Sequence, residues 1–285
     1  MSAGEGAMRA WLQVDVLQHI GVSLCLLQLL AVAVRHFAPL HGERVFASIL
    51  GVFFALAVFL APIVWAWPAD QHVPLVLSGF VNGSTGSTFA LVPWAGFTYA
   101  GVLVAFVARA AASPSRTLAP WLLGVTLVTL GVPVVLNRLH VQPYEPHNFW
   151  RTSPYFFFFR LGNVTAMLTT LAYAEIAAER VGLALHGEGR VARALRWVRV
   201  VGEESLAVYV AHLLILHGWL VGPGLATSMG LSLSLVQCAI VALAIFASMV
   251  LVARAWSDMK KSRLRFQAVQ LSAAGAMAYL VLVAR

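Results

Sequence analysis

Two ionisable side chains stand inside an apolar stretch in the second half of the chain. The stretch GEESLAVYVAHLLILHGW, residues 202–219, places Ser205, Tyr209 and His212 at i, i+4 and i+7, on one face of a helix. Ionisable groups inside an apolar helix mark substrate or proton paths, so Tyr209 and His212 are candidate site residues. The alternative is that both side chains hydrogen-bond to neighbouring helices as packing contacts. His217, on another face, is expected at the membrane interface.

A single arginine follows the aromatic run SPYFFFF at residues 153–159. If Arg160 faces the interior of a helix bundle, its planar guanidinium can clamp a phosphate or a carboxylate. Asn163 lies one turn further along on the same side, which favours an interior polar face. The alternative is that Arg160 extends along apolar surface towards the lipid headgroups.

The segment DVLQHIG, residues 15–21, places Asp15, Gln18 and His19 on one flank of a helix, at i, i+3 and i+4. An aspartate beside a histidine can orient the imidazole for proton transfer, which makes His19 and Asp15 candidate catalytic residues. The alternative is a helix N-terminus, where an aspartate pairs with free backbone amides and with the helix dipole.

Membrane helices have to position these side chains, because 60% of the 285 residues are apolar and only 11% are charged. In soluble domains about a quarter of the residues are charged. A helix needs about 20 apolar residues to cross ~30 Å of hydrocarbon, and only helices or closed barrels satisfy their backbone groups in lipid. The pattern predicts an all-α polytopic bundle and a single integral membrane domain over residues 1–285. Its eight predicted spans are 16–36, 45–67, 89–109, 117–136, 154–177, 203–221, 231–253 and 266–284.

Most lysines and arginines lie in the connections after the first, third, fifth and seventh predicted spans. Positive-inside bias places these connections in the cytoplasm and both termini outside. Because the basic residues sit in short loops, the net charge of +8 does not predict nucleic-acid binding. An outward N-terminus without a signal peptide predicts that an odd number of upstream helices is missing, and the alternative is translocation of a short tail. The composition predicts a bacterial inner membrane.

Two outward loops, 68–90 and 141–154, are rich in turn-forming residues. The first contains no lysine or arginine and predicts an irregular surface. Its tripeptide NGS at 82–84 matches a glycosylation sequon. Cys25 and Cys238 lie in apolar runs, and no CxxC, HExxH, GxSxG or phosphate-binding loop occurs in the sequence. The sequence therefore predicts neither a metal site nor a tightly bound cofactor.

Four segments, in this order, resemble the heparan-alpha-glucosaminide N-acetyltransferase-like group of polytopic membrane acyltransferases, in its bacterial branch. They are DVLQHIGVSLCLLQLLA (15–31), FALVPWAGFTYAGVLVA (89–105), SPYFFFFRLGNVT (153–165) and GEESLAVYVAHLLIL (202–216). The resemblance implies a bundle of about eleven helices that moves an acetyl group from cytosolic acetyl-CoA to a sugar across the membrane. The family's opening helices, with an Arg-Asp-Arg-Gly-like motif and a catalytic histidine, have no match here. Three is an odd number, so three missing helices would agree with the topology predicted from the positive-inside bias.

The resemblance implies that six side chains line a central cavity: Asp15, Gln18, Trp94, Arg160, Tyr209 and His212. Acyl transfer needs a base for the acceptor, donors for the developing oxyanion and cations for the CoA phosphates. Arg160 suits the role of the cation, and His212 or His19 would be the base.

The expected function is transfer of an acyl group from acetyl-CoA or another acyl-CoA, as donor substrate, to an extracytoplasmic sugar or glycan. The alternatives are a transporter or flippase and a catalytically silent membrane subunit, and homo-oligomerisation stays open.

Overall fold

The helices follow the apolar runs of the sequence in the computed structural model, which describes residues 9, 12–110, 114–141, 143–144, 147–182, 189–218, 224–229, 233–262, 267, 270–272 and 275. These residues contain no strand, and the all-α fold is confirmed. The chain divides into two units, Met1–Arg180 and Val181–Arg285, each with its own internal packing. The single membrane domain stays a prediction.

The helices are named in chain order within the described residues. Unit 1 contains α1 (Val16–Phe37), α2 (Gly42–Phe59), α3 (Ala61–Ala66), α4 (Ala69–His72), α5 (Leu75–Val81), a 3-10 turn (Gly83–Thr85), α6 (Leu91–Arg109), α7 (Pro114–Arg138), α8 (Phe149–Thr152) and α9 (Pro154–Arg180). Unit 2 contains α10 (Arg190–Glu203), α11 (Ser205–His217), α12 (Leu225–Met229) and α13 (Leu235–Lys261).

Five helices of the described residues are long and apolar enough to cross a membrane, and the chain is an integral membrane protein. These candidate spans are Val16–Phe37, Gly42–Phe59, Leu91–Arg109, Arg116–Arg138 and Leu235–Lys261. They correspond to the first four and the seventh predicted spans. The second span is shorter than predicted, because α2 ends at Phe59 and α3 begins after a break at Leu60.

The other three predicted spans have different outcomes. The fifth is the continuous helix α9, whose 27 residues are long enough to span but are made less apolar by Arg160, Asn163 and several threonines. The sixth coincides with α11, which counts as a span only together with Leu195–Glu203, from which it is bent by 78°. Residues 219–221 and nearly all of the eighth predicted span, 266–284, lie outside the described residues. The number eight therefore stays a prediction.

Threonines and one glycine hold α7 against α9. The Thr126 hydroxyl donates to Thr165 Oγ1 at 2.9 Å and lies 3.4 Å from Thr169 Oγ1, and all three residues are buried. Gly162 lets the two helices approach closely, because a Cβ at this position would lie 2.5 Å from Leu130 Cδ2. Small residues and paired hydroxyls drive helix association where the surroundings are lipid. The packing fixes α9 in spite of its lower hydrophobicity.

An aromatic core lies where α2, α6 and α9 meet. Val58, Phe157 and Leu161 are buried at its centre, and Phe97 packs against them. The rings of Phe97 and Phe157 have centroids 4.4 Å apart. Gly96 permits this approach, because a Cβ there would come within 2.8 Å of Phe157 Cζ. The core thereby fixes the first turns of α9 relative to α6.

The loop at 68–90 is folded, which corrects the expectation of an irregular surface. Its Asn82 is fully buried, and the side-chain amide donates to two backbone carbonyls at 2.7 and 2.8 Å. Ser87 Oγ accepts from the Val14 N–H at 2.9 Å, which ties the loop to the start of α1. Because Asn82 is enclosed and its amide nitrogen is engaged, the sequon is not an accessible glycosylation site in this fold.

Candidate functional site

His19 is buried near the start of α1, with 4% of its surface exposed. Its Nε2 lies 3.4 Å from the hydroxyl of Ser23, one turn further along the helix. Its Nδ1 is buried and makes no hydrogen bond of normal length and angle, although the Phe89 backbone lies near enough to bond weakly with the ring. A buried polar atom without a partner costs about 1–3 kcal/mol, and such atoms are rare in native proteins. His19 Nδ1 is therefore a candidate for contact with a substrate.

Asp15 and Gln18 cap α1 and do not orient His19. Asp15 Oδ1 accepts from the Val16 N–H at 2.7 Å, and Gln18 Oε1 accepts from the Asp15 N–H at 3.2 Å. Together the two side chains form a capping box, which satisfies amides that have no partner inside the helix. Neither ring nitrogen of His19 is bonded to the carboxylate. The predicted orientation of His19 by Asp15 is wrong, and the helix N-terminus alternative is correct.

Arg160 and Trp94 contact each other at the same end of unit 1. The guanidinium carbon of Arg160 lies 4.9 Å from the centroid of the Trp94 ring and 4.1 Å from that of Phe156. Trp94 Nε1 is buried and has no acceptor. The Trp94 ring also packs on Phe89, with centroids 5.1 Å apart, and so reaches the surroundings of His19. In the part of the chain that the structure describes, aromatic faces hold the Arg160 charge and no carboxylate pairs with it.

We call His19, Phe89, Trp94 and Arg160 the donor cluster. His19 is the fourth residue of α1 and Trp94 the fourth of α6, so both lie near helix N-termini, and Arg160 is the seventh residue of α9. Each N-terminus carries a partial positive charge. The Asp15 carboxylate already caps the N-terminus of α1, so the Arg160 guanidinium and the Trp94 N–H are the groups that favour an anion or a group that develops negative charge during a reaction.

The donor cluster has the groups needed to polarise a carbonyl and to accept a proton. The Trp94 indole N–H has no intramolecular acceptor, and the guanidinium of Arg160 carries five N–H donors. His19 Nδ1 accepts a proton when the ring hydrogen is on Nε2. A base, an N–H donor and a cation are the components of acyl transfer to a hydroxyl or an amine.

A cavity of about 550 Å³, called the outer cavity because positive-inside bias predicts that this end lies outside, is found beside the start of α6. Its polar and aromatic lining includes Trp65, Tyr144, His147 and Asn148. Trp65 Nε1 donates to the Val92 carbonyl at 2.6 Å, which joins this cavity to α6. The Tyr144 hydroxyl donates to the Phe59 carbonyl at 2.9 Å, and burial raises the pKa of Tyr144, with a smaller contribution from Tyr155. Tyr144 is therefore a neutral donor at physiological pH.

A basic cavity of about 700 Å³ lies at the opposite end of α1. Its cationic lining consists of Arg35, Arg44 and Arg109, with His41 beside them. Glu43 pairs with Arg109 and is the one carboxylate among the lining residues. The excess of guanidinium groups suits a ligand with phosphates.

The remaining predicted site residues do not join the donor cluster within unit 1. Asn163 is exposed and donates to the Phe159 carbonyl at 2.8 Å, so the expected interior polar face of Arg160 and Asn163 is not formed. Tyr209 and His212 lie in unit 2, half-buried, with ring centroids 5.1 Å apart. His212 Nδ1 lies 3.3 Å from the carbonyl of Val208 in its own helix. The role of His212 as a base stays a prediction.

Sequence reasoning missed two residues beside His19. Ser23 follows His19 at i+4, a spacing that predicts contact on one helix face. Phe89 carries no comparable signal, because only the folding of the loop brings its backbone to His19. Among the described residues, no three histidine, cysteine, aspartate or glutamate side chains are grouped as metal ligands. Comparisons with family models, with curated proteins and with solved structures find no match to this chain.

Proposed function

We propose that the protein is a membrane acyltransferase that moves an acetyl or acyl group from CoA to an extracytoplasmic sugar or glycan. The observation that supports this most is the pair of buried ring nitrogens without a well-formed hydrogen bond, His19 Nδ1 and Trp94 Nε1, the second of which belongs to a ring in contact with Arg160. A base, an oxyanion donor and a cation thus occur in one cluster. The resemblance of four segments to the heparan-alpha-glucosaminide N-acetyltransferase-like group favours the same reaction class.

In the proposed reaction, His19 Nδ1 accepts the proton of the acceptor hydroxyl or amine as its oxygen or nitrogen attacks the thioester carbonyl. The carbonyl oxygen becomes negatively charged, and the Trp94 N–H and the Arg160 guanidinium stabilise it. The tetrahedral intermediate then expels the CoA thiolate. A C–O or C–N bond forms, the C–S bond breaks, and the proton held by His19 passes to the thiolate.

The two cavities support a reaction that uses substrates from both sides of the membrane. Positive-inside bias places Arg35, Arg44 and Arg109 in the cytoplasm, where acyl-CoA is made, and guanidinium groups bind phosphates in bidentate geometry. The outer cavity lies at the end of unit 1 that holds the donor cluster. Its Trp65 and Tyr144 present aromatic faces with polar edges, which suit a sugar.

The test is acyl transfer by the full chain in lipid nanodiscs, with radiolabelled acetyl-CoA and a panel of sugars and amino sugars. His19→Ala is expected to lower kcat about 10²–10⁴-fold, the usual effect of removing a general base. His36→Ala is the matched control, because His36 is exposed at the other end of the same helix and is expected to leave kcat unchanged.

Two results would contradict the proposal. The first is that the wild-type chain transfers no label to any acceptor and is not stabilised against heating by acetyl-CoA. The second is an equal loss of activity in His19→Ala and His36→Ala. Movement of unmodified sugar into proteoliposomes would favour a transporter, and the absence of both transfer and movement would favour a silent subunit.

A further inference from the structure

A basic helix, α10, lies next to α13 in unit 2. It reads RVARALRWVRVVGE, with four arginines against one glutamate. Helical register places Arg196 and Arg199 in one sector of the helix circumference, and Leu195 and Val198 outside that sector. Arg196 lines a groove with Asp258 of α13, and Arg199 Nε donates to Glu203 Oε1 at 2.7 Å. Val198 is 68% exposed and Leu195 is 42% exposed. A helix with a charged side and an exposed apolar side is typical of the membrane interface.

The bend at Glu204 sets the direction of α10. Leu195–Glu203 is bent by 78° from Ser205–His217, which forms α11. The sequence of α11, SLAVYVAHLLILH, contains no lysine, arginine, aspartate or glutamate, so it suits hydrocarbon. The arginines of α10 are excluded from hydrocarbon by their charge. Because α10 is nearly perpendicular to α11, it lies close to the plane of the membrane surface when α11 enters the membrane.

Two contacts hold this bend at the charged end of α13. Lys260 Nζ donates to both carboxylate oxygens of Glu204, at 2.7 and 2.9 Å, and Glu204 is 8% exposed. The Arg254 guanidinium lies 4.7 Å from the centroid of the Trp197 ring. Arg254 and Lys260 belong to the last turns of α13, where its apolar run ends. The contacts therefore keep α10 at the depth of the headgroups around α13.

We propose that α10 is an interfacial helix that binds anionic phospholipid headgroups in the leaflet at the charged end of α13. Its four arginines outnumber its one glutamate and supply the complementary charge. Leu195 and Val198 insert at the boundary between headgroups and acyl chains. Positive-inside bias makes this the cytoplasmic leaflet. The proposal does not depend on acyl transfer.

The test places a fluorophore on the apolar side of α10 in the full chain. In a Cys25→Ser/Cys238→Ser background, Val198→Cys is labelled with an environment-sensitive dye and reconstituted in nanodiscs of phosphatidylcholine, with or without phosphatidylglycerol. We expect the dye emission to be blue-shifted and to be quenched by lipids that carry a spin label near the headgroup. Both effects are expected to be larger when phosphatidylglycerol is present. Affinity for the anionic lipid is expected to fall about fivefold for each arginine replaced.

The matched variants are Arg193→Gln/Arg196→Gln/Arg199→Gln in α10 and Arg138→Gln/Arg151→Gln in unit 1. The first is expected to abolish the effect of phosphatidylglycerol, and the second to preserve it. Where the first set fails to fold, the wild type in 1 M salt replaces it, because a Debye length of ~3 Å screens the attraction. Water-like emission in both lipids would overturn the proposal. Equal dye burial with and without phosphatidylglycerol would also overturn it.

Discussion

At the scale of single residues, two tryptophans of unit 1 differ in what their indole N–H contacts. Trp65 Nε1 donates to the Val92 carbonyl at 2.6 Å, whereas Trp94 Nε1 is buried without an acceptor. A buried donor without an acceptor lowers the stability of the folded state, which makes Trp94 a candidate for binding or catalysis. His19 Nδ1 is also a buried polar atom without a well-formed hydrogen bond.

We expect Trp94→Phe to leave the free energy of unfolding at the wild-type value or to raise it. We expect Trp65→Phe to be less stable than Trp94→Phe by about 1 kcal/mol, because Trp65→Phe leaves the Val92 carbonyl without its donor. Both substitutions remove similar volume, so their difference reports the N–H together with the change in the contact between the ring at position 94 and Arg160. Trp94→Phe is also expected to lower acyl transfer about 10²-fold. Thermal melting in detergent and the transfer assay measure the two effects. A Trp94→Phe variant that melts below Trp65→Phe would show that the Trp94 N–H has a structural partner.

At the scale of elements, close packing positions α9, the helix that carries Arg160. This helix is less apolar than the five candidate spans. It is held by paired threonine hydroxyls and by the close approach at Gly162 on one side, and by the aromatic core on the other. The position of Arg160 in the donor cluster therefore depends on the fit of small residues between α7 and α9.

Gly162→Ala is expected to destabilise the protein by about 1–3 kcal/mol, since its Cβ overlaps the Leu130 side chain and forces that side chain to move. Gly124→Ala in α7 is the control, because a Cβ there has no neighbour within 4 Å. The control is expected to be neutral or stabilising by up to ~1 kcal/mol. Thermal melting of the two variants measures the difference. Equal melting temperatures would exclude Gly162 as a contact that positions α9.

The ion pair between Glu204 and Lys260 joins α13 to the bend before α11. Glu204→Gln leaves Lys260 without its anion, so a loss of about 1–3 kcal/mol is expected. A double-mutant cycle with Lys260→Met is expected to give a coupling of about 0.5–3 kcal/mol. Lys261 and Asp258 form the control pair, because both are exposed and lie on one helix surface, where coupling is about 0–1 kcal/mol. A coupling for Glu204 and Lys260 no larger than that of the control pair would contradict a structural role.

At the scale of the whole molecule, unit 1 has chemically different ends. The donor cluster and the outer cavity lie at the N-terminal end of α1, and the basic cavity lies at its C-terminal end. Under the proposed function, the basic cavity would take the donor substrate and the outer cavity the acceptor. The convergence of Arg160 with His212 stays a prediction, because the two residues belong to different units.

The orientation can be measured with cysteines placed at the two ends. In a background without Cys25 and Cys238, Leu139→Cys is expected to react with a membrane-impermeant maleimide in sealed right-side-out vesicles, because positive-inside bias places it outside. Leu40→Cys is expected to react only after permeabilisation. Leu139 and Leu40 are 66% and 90% exposed, so burial does not limit either reaction. Labelling of Leu40→Cys in sealed vesicles would place the basic cavity outside, away from acyl-CoA.

The membrane class and most helix positions could be predicted from the sequence, because the requirement behind them is local. Backbone groups in hydrocarbon have to bond within their own segment, so a long apolar run is sufficient to predict a helix. Four predicted spans in unit 1 and one in unit 2 agree with the structure for this reason. The sequence also identified His19, Trp94 and Arg160 as candidates, although by spacing and resemblance alone.

The tertiary structure decided which polar atoms bond within the protein and which do not. Asp15 could orient His19 or cap its own helix, and only the fold shows that the backbone amides take the carboxylate. Asn82 matches a surface motif, yet its neighbours bury it. Phe89 reaches His19 only through the folded loop. These outcomes depend on groups distant in sequence, and for that reason no local pattern contains them.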